Sequence, residues 1–112
     1  MNERIIGFAR VSTDLQTNNS QIEKLTMFSQ EHGMTIDKVF SVTGSSESAK
    51  EVLDEALEYL DNTGIKKMIV VNASRISRTK EETERIEEKF SSRSKEIFYI
   101  DQQGRIDFSL NI

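Results

Sequence analysis

"RIIGFARV" (residues 4–11) is the stretch that decides the fold, because it is a compact apolar run, rich in β-branched residues, with an arginine close to its end. A second run of the same kind is "KKMIVVNA" (66–73), and "IDKVFSV" (36–42) and "EIFYI" (96–100) are shorter strand candidates. The two longer runs are almost continuously apolar. Such runs predict central strands that are covered on both faces.

Helical patterns lie between these strands. In "AKEVLDEALEYL" (49–60), apolar residues recur with the spacing of an amphipathic helix, and Asn62-Thr63-Gly64 ends the pattern. "NNSQIEKLTMFSQEHG" (18–33) is a weaker helical pattern that ends at a glycine. "TKEETERIEEKF" (79–90) is mostly polar, with Thr79 as the expected N-cap and Glu82 at the capping-box position.

The alternation of strands and helices predicts an α/β fold. We expect a three-layer open sheet, mostly parallel, with four to five strands and helices on both faces. A chain of 112 residues is the length of one domain, here residues 1–112.

The charge and the apolar content of the chain argue against some classes of protein. The net charge of −4 argues against strong DNA binding through bulk electrostatics, although it leaves room for a local positive pocket. No apolar run is long enough to span a bilayer, and "MNERIIGFAR" (1–10) lacks the apolar region of a signal peptide. We therefore expect a cytoplasmic protein that has no membrane partner.

The scarcity of cysteine and histidine limits the kinds of site that the chain can form. The chain has no cysteine and one histidine, His32, which excludes disulfides and an ordinary zinc site. A Ser-His-Asp triad would have to use His32. Its position beside Gly33 at the expected end of a helix instead favours contact with the last helical carbonyls.

Right-handed crossovers bring the carboxyl ends of parallel strands to one edge of the sheet, where open α/β sheets bind their ligands. Basic and hydroxyl side chains lie at the ends of three predicted strands. Arg10 and Ser12 lie at the end of the first strand. The segment "TGSSES" (43–48) and Lys50 follow the second strand, and "NASRISR" (72–78), with Arg75 and Arg78, lies at the end of the third. Guanidinium groups bind phosphate oxygens with two parallel hydrogen bonds. A serine among such charges also suits phosphoryl transfer.

Each of these residues alone has a structural alternative. Arg10 could pair with a helix carboxylate, Arg75 and Arg78 could be surface residues of a loop, and Ser12 could cap a helix. The chain lacks the glycine patterns of a P-loop or a dinucleotide fold, and the first strand does not end in the clustered carboxylates of a receiver domain. Pattern alone therefore predicts a phosphate-binding α/β domain.

The motifs at this edge also carry a family resemblance. "GFARVSTDLQ" (7–16) resembles the opening motif of the N-terminal catalytic domain of serine site-specific recombinases, the resolvase/invertase family. "SQIEKL" (20–25) resembles the first helix of that family, "TGSSESAKEVL" (43–53) its mobile loop and helix start, "NASRISRT" (72–79) its paired-arginine loop, and "IFYIDQQGRIDF" (97–108) its last strand and turn. The resemblance covers essentially the whole chain.

The resemblance implies an enzyme of DNA recombination and mobile elements that needs neither a metal nor another cofactor. Ser12 would be the nucleophile that attacks a DNA phosphate, giving a 5′-phosphoserine linkage and a free 3′-hydroxyl. Arg10, Arg75 and Arg78 would bind the scissile phosphate and stabilise the transition state. Gln16 and Gln21 fall on supporting polar positions near the nucleophile.

Three positions depart from the family pattern. Phe8 replaces the usual tyrosine, Lys50 stands nearest to an arginine of the mobile loop, and Ser74 replaces an aspartate before the paired arginines. Lys50 and Ser74 support an alternative function, a catalytically weak or inactive resolvase-like domain that acts as a regulatory or interaction module. A small-molecule phosphate binder unrelated to DNA is a third hypothesis.

Partners are also implied by the resemblance. Family members continue into a long dimerisation helix and a DNA-binding domain, and we expect both to be absent from residues 1–112. DNA would be the partner of the full-length protein, with dimers and tetramers assembling on it. The isolated domain is expected to be a monomer or a weak dimer.

Overall fold

The computed structural model describes residues 3–11, 15–44 and 46–101, without the side chains of residues 11, 15–19 and 46. Within them the chain alternates between strands and helices: β1 (Glu3–Val11), α1 (Leu15–Glu31), β2 (Met34–Thr43), α2 (Ser46–Thr63), β3 (Lys67–Val70), α3 (Lys80–Ser91) and β4 (Glu96–Tyr99). The strands form one parallel sheet in the order β2-β1-β3-β4. The expected α/β fold is confirmed.

The alternation of side chains along β1 creates the two outer layers. Ile6 and Phe8 pack with the buried faces of α2 and α3, whereas Ile5 packs with Leu25 of α1 on the opposite face. Helices therefore cover both faces of the sheet, as predicted. The predicted stripe on α2 is the largest helical contribution to the core, and its buried members are Ala49, Leu53, Ala56, Leu57 and Leu60.

Two glycines allow this packing. A Cβ atom on Gly7 would lie 3.2 Å from Leu25 Cδ1, so the glycine lets α1 approach β1 closely. Gly64 has a φ of 79° and donates its N–H to Leu60 O at 2.9 Å, which ends α2 as predicted.

Two of the predicted loops are partly regular structure. β2 runs to Thr43, which pairs with Val11, and α2 begins at Ser46, so the stretch 43–48 is mostly strand end and helix start. A short 3-10 helix (Ala73–Arg75) occupies part of "NASRISR" (72–78). The tight turn leads directly into Ile76, whose side chain is fully buried in the core.

The contacts expected at the end of α1 and at the start of α3 are both present. His32 Nδ1 lies 2.9 Å from Phe28 O, and the imidazole stacks on the Phe28 ring with 4.1 Å between centroids. His32 therefore sits at the end of α1, which leads into the amino end of β2 and not to the edge that holds Arg10. Thr79 Oγ1 accepts the N–H of Glu82 at 3.2 Å at the start of α3.

Among the described residues, no helix has both the length and the apolar character that crossing a membrane requires.

We predict that Leu57→Ala lowers the free energy of unfolding by about 2–4 kcal/mol, because it leaves a cavity between α2 and the sheet. Glu58→Ala changes the adjacent, exposed position of the same helix and should cost less than about 0.5 kcal/mol. Chemical denaturation followed by circular dichroism measures both. Equal effects of the two substitutions would contradict the packing of α2.

Candidate active site

The side chain of Arg10 connects the carboxyl ends of three strands. It lies at the end of β1 and is only 5% exposed. Its Nε donates to Arg75 O at 3.0 Å, its Nη1 to Gly44 O at 3.2 Å and its Nη2 to Ser74 O at 2.7 Å. Gly44 directly follows β2, and the other two carbonyls follow β3. One guanidinium group thus fixes the geometry of this edge.

Arg75 returns the contact. Its Nη1 donates to Arg10 O at 3.2 Å, so each arginine side chain binds the main chain of the other across 65 positions of sequence. The Nε atom of Arg75 is buried and has no hydrogen-bond partner within the described part of the chain. The predicted meeting of these two arginines at one edge is therefore present.

The side-chain amide of Gln21 makes two hydrogen bonds with the main chain of Arg10. Its Oε1 accepts the N–H of Arg10 at 3.2 Å, and its Nε2 donates to Arg10 O at 3.0 Å. The pairing of β1 with β3 ends at Phe8 and Val70, so Arg10 lies beyond the last strand partner on that side. The amide of Gln21, which is 3% exposed, takes the place of that missing strand.

The arginines give this edge a positive charge. Burial lowers the pKa of Arg10 from its ordinary value, and the charges of Arg75 and Arg78 lower it further. A guanidinium group nevertheless stays protonated in proteins. The ion pairs formed between described residues include none of these three arginines. Among the described residues, the hydrogen-bond acceptors of the Arg10 guanidinium are carbonyl groups and not carboxylates, so the cluster suits an added oxyanion.

Arg78 and Ser74 border an open pocket of about 310 Å³ beside the start of α3. Arg78 is exposed there, and the buried residues Ser77 and Thr83 lie in the pocket wall. The hydroxyl of Ser74 donates to Asn72 Oδ1 at 2.5 Å, while its carbonyl binds Arg10. Ser74 thus contributes to the cluster through its main chain.

The remaining predicted residues lie apart from this cluster or outside the description. Lys50 is exposed on α2, and its Nζ lies 3.2 Å from Glu82 Oε2 of α3, so the structure does not bring it to Arg10. Ser12 lies outside the described residues. Gln16 belongs to α1, but its side chain is not described.

Sequence reasoning missed the acceptors of the Arg10 guanidinium. They are main-chain carbonyls, which every residue carries and which therefore leave no signal in a sequence. The double contact of Gln21 does have a signal, because Gln21 precedes Leu25 by one helical turn on the buried face of α1. A buried amide on an apolar stripe needs polar partners.

We predict that Gln21→Ala lowers the free energy of unfolding by about 2–3 kcal/mol, because it removes a partner from two buried main-chain groups of Arg10. Gln30→Ala is the matched control, since Gln30 is exposed on the same helix. Urea denaturation measures both. A Gln21→Ala protein as stable as the Gln30→Ala protein would contradict the proposed support of Arg10.

Comparison with solved structures shows a shared fold. The C-terminal catalytic domain of ISC1926 TnpA, an IS607-like serine recombinase, is 21% identical with a TM-score of 0.76, over 96% of this chain and 78% of that one. The N-terminal catalytic domain of TP901-1 integrase is 17% identical with a TM-score of 0.77, over 89% and 78%. The first open reading frame of transposon ISC1904 from Sulfolobus solfataricus P2 is 22% identical with a TM-score of 0.68, over 88% and 68%.

Comparison with protein families gives the identity of the domain. No curated protein matches the sequence significantly. The family model for the resolvase N-terminal domain, however, matches residues 5–111. The match confirms the resemblance found in the sequence motifs. The chain belongs to the resolvase N-terminal domain family.

Proposed function

We propose that residues 1–112 form the catalytic domain of a site-specific DNA recombinase that cuts and rejoins DNA through Ser12. The observation that carries the proposal is the buried Arg10 guanidinium, which faces carbonyl groups at the carboxyl edge of the sheet. Ser12 follows Arg10 by two residues in the sequence. The positive charge at this edge would therefore act close to the nucleophile.

The proposed reaction is a transesterification. Ser12 Oγ attacks the phosphorus atom, the bond from phosphorus to the 3′-oxygen breaks, and the 5′-phosphate remains on the serine. The serine hydroxyl loses its proton, and the departing 3′-oxygen gains one. Rejoining is the reverse attack by a 3′-hydroxyl, so no net energy source is required. Positive charge around the non-bridging oxygens stabilises the transition state.

Arg10 and Arg78 would have different roles, because the first is buried and the second is exposed. Arg10 is buried and donates three hydrogen bonds to the main chain, so it fixes the edge and contributes its charge. Arg78 is exposed beside an open pocket, which suits direct contact with a DNA phosphate. Gln16, Gln21, Lys50 and Ser74 would support the site. DNA is the proposed partner, with dimers and tetramers assembling on it.

Two observations favour a second candidate, a regulatory or interaction module. Lys50 is paired with Glu82, and position 74 carries a serine whose hydroxyl binds Asn72. Neither side chain adds charge to the arginine cluster in this arrangement. A domain that kept the fold but reacted weakly with DNA would have such a site.

We predict that Ser12→Ala abolishes a covalent protein–DNA adduct. The substrate is a pool of duplexes with 3′-bridging phosphorothiolate linkages, whose departing 3′-thiol rejoins poorly and so traps the intermediate. Ser20→Ala, an exposed serine of α1, is the matched control and should react like the unaltered chain. Mass spectrometry of the digested adduct should locate the phosphodiester on the peptide that contains Ser12.

An adduct that survives in Ser12→Ala would refute the assignment of the nucleophile. Failure of the unaltered chain to form any adduct, while a known serine recombinase reacts with its own duplex, would favour the regulatory module.

A further inference from the structure

Glu82 occupies the third position of α3, but its carboxylate does not complete the helix cap. Its N–H donates to Thr79 Oγ1, as a capping box requires. The reciprocal contact would join the Glu82 carboxylate to the N–H of Thr79. That N–H instead donates to Ser77 Oγ at 3.3 Å. The carboxylate of Glu82 is thus left to bind another group.

The carboxylate of Glu82 reaches across to α2. Its Oε2 lies 3.2 Å from Lys50 Nζ, and its Oε1 accepts Arg85 Nη1 at 2.9 Å. The Glu82 side chain is only 20% exposed and is held in the first turn of α3, where the helix dipole stabilises negative charge. The Lys50 side chain is 51% exposed. Lysine is flexible, so it is the partner that can move.

In the sequence, both members of this ion pair follow residues of the arginine cluster. Lys50 follows Gly44, the acceptor of Arg10 Nη1, by six residues, and Glu82 follows Arg78 by four. Both helices therefore start from the edge that Arg10 organises. A lysine released from Glu82 would add its charge to that edge.

We propose that Glu82 is a positioning residue that holds Lys50 away from the arginine cluster, and that a DNA phosphate at the cluster competes with Glu82 for the Lys50 ammonium. The proposal rests on the proposed function. An ion pair whose lysine is half exposed is weak, so an incoming phosphate can displace the carboxylate. Glu82 then sets how tightly the domain holds DNA by withholding one cation.

Fluorescence anisotropy of a labelled duplex, titrated with the chain at several salt concentrations, tests this competition. Glu82→Gln should tighten binding by about 3- to 10-fold and steepen the dependence of log K on log salt by about 0.9, the value for one added phosphate contact. Lys50→Met in the Glu82→Gln background should cancel both changes. A merely structural role of Glu82 would not change the salt dependence.

Asp54→Asn is the matched control for net charge. Asp54 of α2 pairs with Lys89 of α3 at 2.6 Å, so its substitution also removes one negative charge and one ion pair between the same two helices. Lys89 lies seven residues beyond Glu82 on α3, further from the arginine cluster. We expect Asp54→Asn to leave affinity within about twofold of the unaltered chain and the salt dependence unchanged.

A Glu82→Gln protein that binds no better than Asp54→Asn overturns the proposal, and so does a gain that persists after Lys50→Met. Arg78→Ala reports separately on the proposed function. If Arg78→Ala weakens binding while Glu82→Gln has no effect, only the competition at Glu82 is wrong. If Glu82→Gln tightens binding through Lys50 while Arg78→Ala changes nothing, the direct contact of Arg78 with DNA is wrong and the competition at Glu82 stands.

Discussion

The burial of the Arg10 guanidinium is the constraint on which the arrangement of the sheet edge depends. A charged group can be buried only if its N–H groups find acceptors, and three main-chain carbonyls from two strand ends supply them. The same requirement fixes the main chain after β2 and after β3. Gln21 and Arg75 complete the arrangement because they bind the main chain of Arg10 beyond its last strand partner. The meeting of Arg10 and Arg75 at this edge is the consequence of this one folding requirement.

The distribution of charge explains how an acidic protein can present a basic edge. The net charge is −4, yet the helix acids Asp54, Asp61, Glu82 and Glu84 form ion pairs with lysines or arginines. Asp37 pairs with Arg4 near the amino end of β1, and the hydroxyl of Tyr59 and the Arg4 guanidinium lower the pKa of that carboxyl. Among the described ion pairs, Glu82 supplies the carboxylate that lies nearest in sequence to Arg78. In the proposed function, its choice of partner affects the charge available to DNA.

Much of the fold could be predicted from the sequence, because strand and helix periodicities are local signals. The stripe on α2 and the cap at Thr79 are of this kind, and both are confirmed. The convergence of Arg10 and Arg75 followed from the parallel topology. The carbonyl acceptors could not be predicted, since main-chain groups carry no residue signal. The pairing of Lys50 with Glu82 was also missed, because Ser77 takes over the cap contact that would otherwise hold that carboxylate.

Amide hydrogen exchange of Arg10→Lys, compared with the unaltered chain, tests the central role of Arg10 most directly. Lysine keeps the charge but cannot bind three carbonyls in a plane. We predict at least about tenfold faster exchange at the N–H groups of Arg75 and Ile76, which close the turn after β3, because local opening there becomes easier. The N–H groups of Ile69 and Val70 should keep their protection. Unchanged exchange at Arg75 and Ile76 in a folded Arg10→Lys protein would contradict the account.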